Sequence, residues 1–338
     1  MKEEFFTSPL GAMGPRVVCI GGGTGLSTLL RGLKFFTFNL TAVVTVADDG
    51  GGSGVLRDEL DMPPPGDIRN CMQALANAEP TIERLLAYRF SSGHLDGQSF
   101  GNLFLAAING ISSSFDAAVK TMGEVLSITG RVLPVTNEKV WLEAEFEDGS
   151  KIVGESKICD AKAERRCRIK HIRLIPDGAA VLEDSRRALL EADMIVFGPG
   201  SLYTSVIPNL LVSGVADAIL QSDAIKVYVC NVMTQPGETE GYTAGDHISA
   251  LFQHADGRLF DYCLVNNSES PQEIIEKYRL DGAEPVKDDI GSEGFLGVEA
   301  VYASMSSEHG SLARHDSGLL AKELIKLYFD KSDTKIYG

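Results

Sequence analysis

The stretch from Arg16 to Asp49, RVVCIGGGTGLSTLLRGLKFFTFNLTAVVTVADD, does most to limit what this chain can fold into. A short apolar run, Val17 to Ile20, meets Gly21, Gly22 and Gly23, followed by Thr24 and Gly25. Leu26, Leu29, Leu30 and Leu33 then recur at helical spacing, and a β-branched run from Ala42 to Val46 ends on Ala47, Asp48 and Asp49. The unit reads strand, glycine turn, helix, strand. Glycines at such a turn let the backbone approach a ligand, and the first amides of the helix present unpaired donors and a positive dipole end to a phosphate. Tight strand-to-helix turns also use glycine merely for its positive φ, so both readings stand at this point. The dinucleotide fingerprint asks for a small residue where Leu26 stands, and no Gly-Lys-Ser/Thr follows to make a Walker loop. Asp48 falls where doubly wound sheets place a ribose-facing carboxylate.

The 338 residues allow one large α/β domain or two ordinary ones, and a net charge of −16 gives no general attraction for nucleic acid or anionic lipid. An anionic ligand must therefore be held locally. Six scattered cysteines without a CxxC pair point to a reduced, cytoplasmic protein. No apolar run reaches spanning length, which predicts no membrane insertion, and residues 1–15 read as a loose N-terminal extension.

After Asp49, the run Gly50-Gly51-Gly52-Ser53-Gly54 reads as a loop, either a mobile ligand cover or an ordinary surface connection. Pro63 to Pro65 stiffen the approach to Asp67, which is placed to cap a helix carrying Ile68, Cys71, Met72 and Leu75. Arg57 and Arg69 are the nearest cations, with Asp58, Glu59 and Asp61 as candidate partners. Helical patterns follow to Ser127, with Asn102 a cap or ligand contact and His94 a loop residue. From about 131 to 170 the pattern alternates and turns at Asp148-Gly149, which predicts an antiparallel hairpin insertion. Its end carries Lys162, Arg165, Arg166, Arg168 and Lys170, read as a solvated cluster. The α/β rhythm resumes with Ile172 to Ile175. Strands at Met194–Phe197, Ile225–Cys230 and Tyr262–Asn266 then each end in a polar, glycine-bearing or Asn-rich loop, the first running into Gly200 and Ser201, a candidate helix cap. Strands of a parallel sheet would bring these loops to one edge, where open α/β sheets bind ligands.

The motifs IGGGTGLSTLLRGLK, TVADDGGGSGVLRDEL, PPPGDIRN, FGPGSLYTSVIPNLLV and VCNVMTQPGETEGYTAGDH, in this order, resemble the family of 2-phospho-L-lactate transferases and bacterial gluconeogenesis factors. The PPPGDIRN and NVMTQ forms, with Arg314-His315-Asp316, are similar to the gluconeogenesis-factor branch. Val55 stands where family members more often have arginine, leaving Arg57 as the nearer phosphate candidate. The resemblance implies a Rossmann-like, mostly parallel, doubly wound sheet with helices on both faces, residues 16–330 forming a single such domain around the hairpin insertion. It implies a cytoplasmic regulator that binds UDP-N-acetylglucosamine and links carbon metabolism to cell-wall synthesis and cell shape. Homo-oligomers and protein partners in cell-wall synthesis come with that expectation. In the transferase branch it implies transfer from a guanosine diphosphate carrier with Mg²⁺.

By match to the motifs, Gly22, Gly23, Thr24 and Gly25 form the diphosphate cradle, and Asn102, Gly200 and Ser201 the pocket floor. Asn231 belongs to the same ligand-binding set, and Tyr278 and Arg314 lie at the base end. Asp48 and Asp49 match an acidic pair near the transferred group, Asp48 being the candidate Mg²⁺ ligand. Adjacent residues of a strand face opposite ways, so both carboxylates reach the site only if the strand has ended. Three function classes follow: a non-catalytic nucleotide-sugar regulator, favoured here; a phospholactyl-type transferase; and, third, an NAD(P)-dependent enzyme.

Overall fold

A computed structural model describes residues 14–77, 79–158, 160, 167–255, 257–268, 271–306 and 313–336, with side chains through 332. Residues 1–13 of the expected extension and Lys162, Arg165 and Arg166 of the basic cluster lie outside the described residues. The chain builds a seven-stranded parallel sheet in the order β3-β2-β1-β7-β8-β9-β10. These strands are β1 Val17–Gly21, β2 Leu40–Val44, β3 Arg131–Pro134, β7 Met194–Phe197, β8 Ile225–Val229, β9 Tyr262–Asn266 and β10 Glu299–Ala303. Strands β1, β2 and β7 are buried along their whole length. That is why they read as unbroken apolar runs rather than alternating ones, since helices cover both faces of a parallel sheet.

Helix α1 (Gly23–Leu33) returns the chain from β1 to β2, packing against α3 (Gly66–Leu75) and the terminal helix Ser317–Ile336. A Cβ on Gly32 would lie 1.9 Å from the Ser317 carbonyl oxygen, so this crossing needs glycine. A second helix set, Glu183–Leu190, Ile207–Leu210, Val215–Gln221 and Ala244–His254, packs together apart from α1. The strand order reverses at β1, whose neighbours are β2 and β7, with the chain running on to β2 and β3 on one side and to β8, β9 and β10 on the other. Such a switch point opens a crevice at the carboxyl edge of the sheet.

Two sequence expectations change. Strand β3 pairs parallel with β2, Thr41 opposite Arg131, so it belongs to the main sheet. The antiparallel element is a separate sheet of three strands in the order β5-β4-β6: β4 Trp141–Phe146, β5 Lys151–Val153 and β6 Ile169–Ile175. Alternation reports a half-buried face but not the pairing partner, which is why 131–134 and 172–175 were each assigned to the wrong sheet. The glycine run after Asp49 is also no loop. Gly51–Glu59 forms α2, and a Cβ on Gly54 would lie 2.2 Å from the Asp49 carbonyl oxygen. Small residues here serve close packing. Among the described residues no helix is long and apolar enough to cross a membrane.

Candidate functional site

The β1–α1 turn is tight against its surroundings. Gly22 is extended, and a Cβ there would lie 2.4 Å from Asp67 Oδ2 and 2.8 Å from Thr45 Cγ2. Gly23 takes φ +65, which glycine adopts without cost. A Cβ on Gly25 would meet the Pro199 carbonyl oxygen at 2.4 Å, so α1 leans directly on the loop leaving β7. Thr24 is exposed at the first turn, and its carbonyl accepts from the Thr28 hydroxyl at 2.9 Å. The amides of this turn have no acceptor within the helix and carry its positive end. One of them is already used: Asp67 accepts the Gly23 N–H. Asp67 therefore does not cap its own helix, as the sequence suggested. It reaches across and presses its carboxylate onto the cradle.

Asp67 is one of a group of carboxylates. Strand β2 ends at Val44, which frees Asp48 and Asp49 from facing opposite ways. Asp48 accepts the Gly50 N–H at 2.8 Å and a bond from Ser53, and burial, with Asp49 nearby, raises its pKa. Asp49 turns elsewhere, accepting the Ser156 N–H at 2.9 Å, where it anchors the segment that follows β5. Burial, then the charge of Asp48, pushes Asp67 up to about 7. Burial, then Asp48 and Glu238, likewise pushes Glu155 up to about 7. Glu238 is fully buried and accepts from the Thr204 hydroxyl at 2.7 Å. Carboxylates this close want protons or a cation. Among the described residues no three His, Cys, Asp or Glu side chains are grouped to hold a metal ion by themselves. The hard oxygens of Asp48 and Asp67 nevertheless suit Mg²⁺, which is commonly held by one or two carboxylates together with phosphate oxygens.

The opposite rim comes from the loops after β7 and β8. Asn231 donates to the Gly200 carbonyl at 2.8 Å and accepts the Gly200 N–H at 3.3 Å. Ser201 donates its hydroxyl to Gln235 at 2.7 Å instead of capping a helix; Leu202–Val206 is a π-turn, a feature frequent at functional sites. Gly200 also approaches the cradle, its Cβ position lying 3.3 Å from the Gly22 carbonyl oxygen. Gly22, Gly23, Thr24, Gly25, Gly200, Ser201 and Asn231 thus share one crevice.

Asn102 joins it from the other side. It is buried at the start of α5 (Phe100–Gly110), where its N–H bonds the capping Ser99 hydroxyl at 3.1 Å and its amide donates to Ser53 at 3.4 Å. Tyr278 and Arg314 sit at the same edge of the sheet without bonding the cradle. Tyr278 is half-buried near the end of the helix Gln272–Leu280. The chain just beyond is stitched to the β8 loop by Thr234 and Glu284, at 2.7 and 2.9 Å. A cavity of about 510 Å³ opens here, lined by Thr234, Glu240 and Arg279 among others. Arg314 is exposed past the carboxyl end of β10, while Asp316 accepts the N–H groups of Gly318 and Leu319.

Arg57 is not a phosphate contact. It is 1% exposed, lies 4.4 Å from the Trp141 ring, and donates to the Val140 carbonyl at 2.5 Å and the Asp48 carbonyl at 3.2 Å. It ties the antiparallel sheet to the loop that carries Asp48. Asp61, one of its candidate partners, pairs with Lys139 instead. Of the basic cluster, Lys170 pairs with Glu145, and Arg168 pairs with Asp246 and covers Tyr242. Asp67 and Glu155 were missed as site residues. The only signal for Asp67 was the GDIR context shared with a helix cap, and Glu155 had none.

Fold and crevice together define a doubly wound, Rossmann-like protein with its candidate ligand site at the switch point of the sheet. Residues 17–306 match the family model described as 2-phospho-L-lactate transferase CofD, and the chain belongs to that family. A relative from Thermoanaerobacterium thermosulfurigenes is 54% identical over 314 residues, 93% of this chain and 97% of its own length. The gluconeogenesis factor of Bacillus subtilis is 47% identical over 314 residues, 93% and 98% of the two chains. A crystal structure of a UPF0052-family protein from Bacillus halodurans superposes with a TM-score of 0.88 at 46% identity, covering 92% of this chain and 99% of that one.

Proposed function

We propose that this protein is a gluconeogenesis factor that acts as a cytoplasmic regulator. In this reading it binds UDP-N-acetylglucosamine across the crevice and links carbon metabolism to cell-wall synthesis and cell shape. The observation that carries the reading is the two-sided clamp of Asn231 on Gly200, which fixes the β7 and β8 loops as one rim facing the glycine cradle. A rim held this way is largely preformed, as small-ligand sites usually are. In this reading the diphosphate lies against the first turn of α1, with the uridine toward Tyr278 and Arg314. Homo-oligomers and cell-wall-synthesis partners belong to the same proposal. Leu26 counts against NAD(P): it is fully buried where the dinucleotide fingerprint wants a small residue.

Stacking of a base on an aromatic ring contributes about 1–3 kcal/mol, and a guanidinium can stack or bind phosphate. Tyr278→Ala and Arg314→Ala should therefore each weaken UDP-N-acetylglucosamine roughly tenfold or more in titration calorimetry, with melting temperatures near wild type. Normal binding by both variants would sink this reading.

One observation favours a second reading, a Mg²⁺-assisted transferase: Asp48 and Asp67 stand together beside the cradle. There Mg²⁺ would neutralise charge on a diphosphate. Asp48→Asn should then abolish any Mg²⁺ dependence of nucleotide binding while leaving the fold intact. A large drop in melting temperature without ligand would instead make Asp48 a structural residue.

A further inference from the structure

Arg69 and Arg89 remain unused by either reading. Arg69 rises from the first turns of α3, and its stem runs past Gly101, where a Cβ would lie 2.8 Å from Arg69 Cγ and 2.8 Å from the Leu86 carbonyl oxygen. Gly101 therefore leaves a channel between α5 and α4 (Pro80–Ala87) that this arginine threads. At the far end its Nε donates to Asn102 Oδ1 at 3.2 Å and its Nη1 to Gln73 Oε1 at 3.4 Å. Both acceptors are neutral amides. Arg89 arrives beside it because Arg89 and Ser99 form an antiparallel bridge, and Ser99 caps the turn that carries Asn102. Arg89 also donates to a neutral acceptor, the Gly97 carbonyl. With the Arg69 stem against Gly101 and the Leu86 carbonyl, and Arg89 three residues past Leu86 and bridged to Ser99, both arginines lie at the head of α5. Burial and then the charge of Arg89 lower the Arg69 pKa, against the opposing pull of Asp67.

Neither arginine forms an ion pair with a described carboxylate, although the chain has 47 acidic residues and 31 basic ones. Holding two guanidiniums together on neutral partners costs energy that an ordinary surface placement would avoid, and an anion between them relieves it. Asn102 connects this place to the crevice through Ser53, on the flank opposite Asn231 and Ser201.

We infer that Arg69 and Arg89 form an oxyanion subsite on the α3–α5 flank of the crevice, which takes the phosphate or carboxylate of a second small ligand. Arg69, preset by Asn102 and Gln73, supplies the fixed donors. Arg89, exposed on its turn, closes over the anion from outside. The subsite does not depend on what occupies the glycine cradle.

The test titrates inorganic phosphate and, separately, citrate into the full chain at constant ionic strength, following melting temperature and calorimetric heat. Wild type should bind at least one of them saturably, and the tighter of the two identifies the oxyanion. Arg89→Gln should weaken that binding tenfold or more, as should Arg69→Gln; Arg69→Lys, which keeps charge but not the fork, should weaken it less. UDP-N-acetylglucosamine titrated into Arg89→Gln serves as the control for the nucleotide site. Loss of phosphate or citrate binding in Arg89→Gln, with the melting temperature of the free protein and any UDP-sugar binding of wild type retained, supports the subsite; loss of all of these together overturns it. Binding unchanged in both glutamine variants, or no saturable binding by wild type, overturns it.

Discussion

Gly25→Ala should destabilise the protein by several degrees in melting temperature and reduce UDP-N-acetylglucosamine affinity by more than tenfold. On helical propensity alone the change should help, since alanine in a helix interior is favoured over glycine by about 1 kcal/mol. The surroundings reverse the sign. The new Cβ would lie 2.4 Å from the Pro199 carbonyl oxygen, 2.7 Å from its carbon and 3.0 Å from Gly200 Cα. All three are backbone atoms, so no side chain can swing away. Gly200 is also clamped by Asn231 on both its N–H and its carbonyl, which couples the displacement to the β8 loop. Overpacking of this kind costs about 1–3 kcal/mol, and the part spent on separating α1 from the β7 loop falls directly on the crevice. Gly110→Ala is the control: it lies at the end of α5 with nothing within 4 Å of its Cβ position, and should be neutral or stabilising. Equal melting and binding for Gly25→Ala and wild type would mean that the two loops do not meet as described.

How much could be read in advance follows from where each signal is stored. The central strands were legible because burial on both faces writes itself as an apolar run, and glycines at their ends marked the edge of the sheet. Strand β6 carried its alternation from Ile172 onward, with Ile172 and Leu174 inward and Arg173 outward, while a register shift opposite Glu145 and Phe146 turns both Lys170 and His171 outward. Its partner β4 lies far back in sequence, and no local pattern names a partner. Glycine was ambiguous in a different way. In α2, Gly54 serves close approach to the Asp49 carbonyl while Gly51 serves a positive φ, and the sequence alone does not tell the two apart. Charged residues were the least legible. Arg57 had three acids within reach along the chain and chose Trp141 and two carbonyls; Asp67 looked like a cap and serves a different helix. For such groups the deciding quantity is desolvation, which depends on the assembled neighbours.

Asp67→Asn should raise the melting temperature of the ligand-free protein at pH 8 and leave it little changed near pH 4. The folded pKa of Asp67 stands at about 7, above its ordinary value of 3.8, because burial and then Asp48 penalise the charge. A carboxyl raised in this direction contributes stability that is fully present below the unfolded pKa and is lost as pH rises through about 7. Wild type should therefore weaken between about pH 4 and pH 7, the asparagine variant less so, and Asp67→Asn with Glu155→Gln least of all, since Glu155 is raised for similar reasons. The same linkage separates the two functional readings. A diphosphate entering beside Asp48 and Asp67 without metal adds negative charge, raises their pKa values further and takes up protons. Metal-free binding should then tighten as pH falls through 7, and Asp67→Asn should both strengthen it at pH 8 and remove most of its pH dependence. A diphosphate arriving with Mg²⁺ does the opposite: the cation lowers the carboxylate pKa values and releases protons. Calorimetry of UDP-N-acetylglucosamine at pH 7 in two buffers of different ionisation enthalpy reads the sign directly, with up to about half a proton expected from Asp67, which is half protonated at that pH. Uptake without metal, unaltered by adding Mg²⁺, supports a binding protein; release that requires Mg²⁺ and disappears in Asp67→Asn places the carboxylates around a metal and moves the transferase ahead.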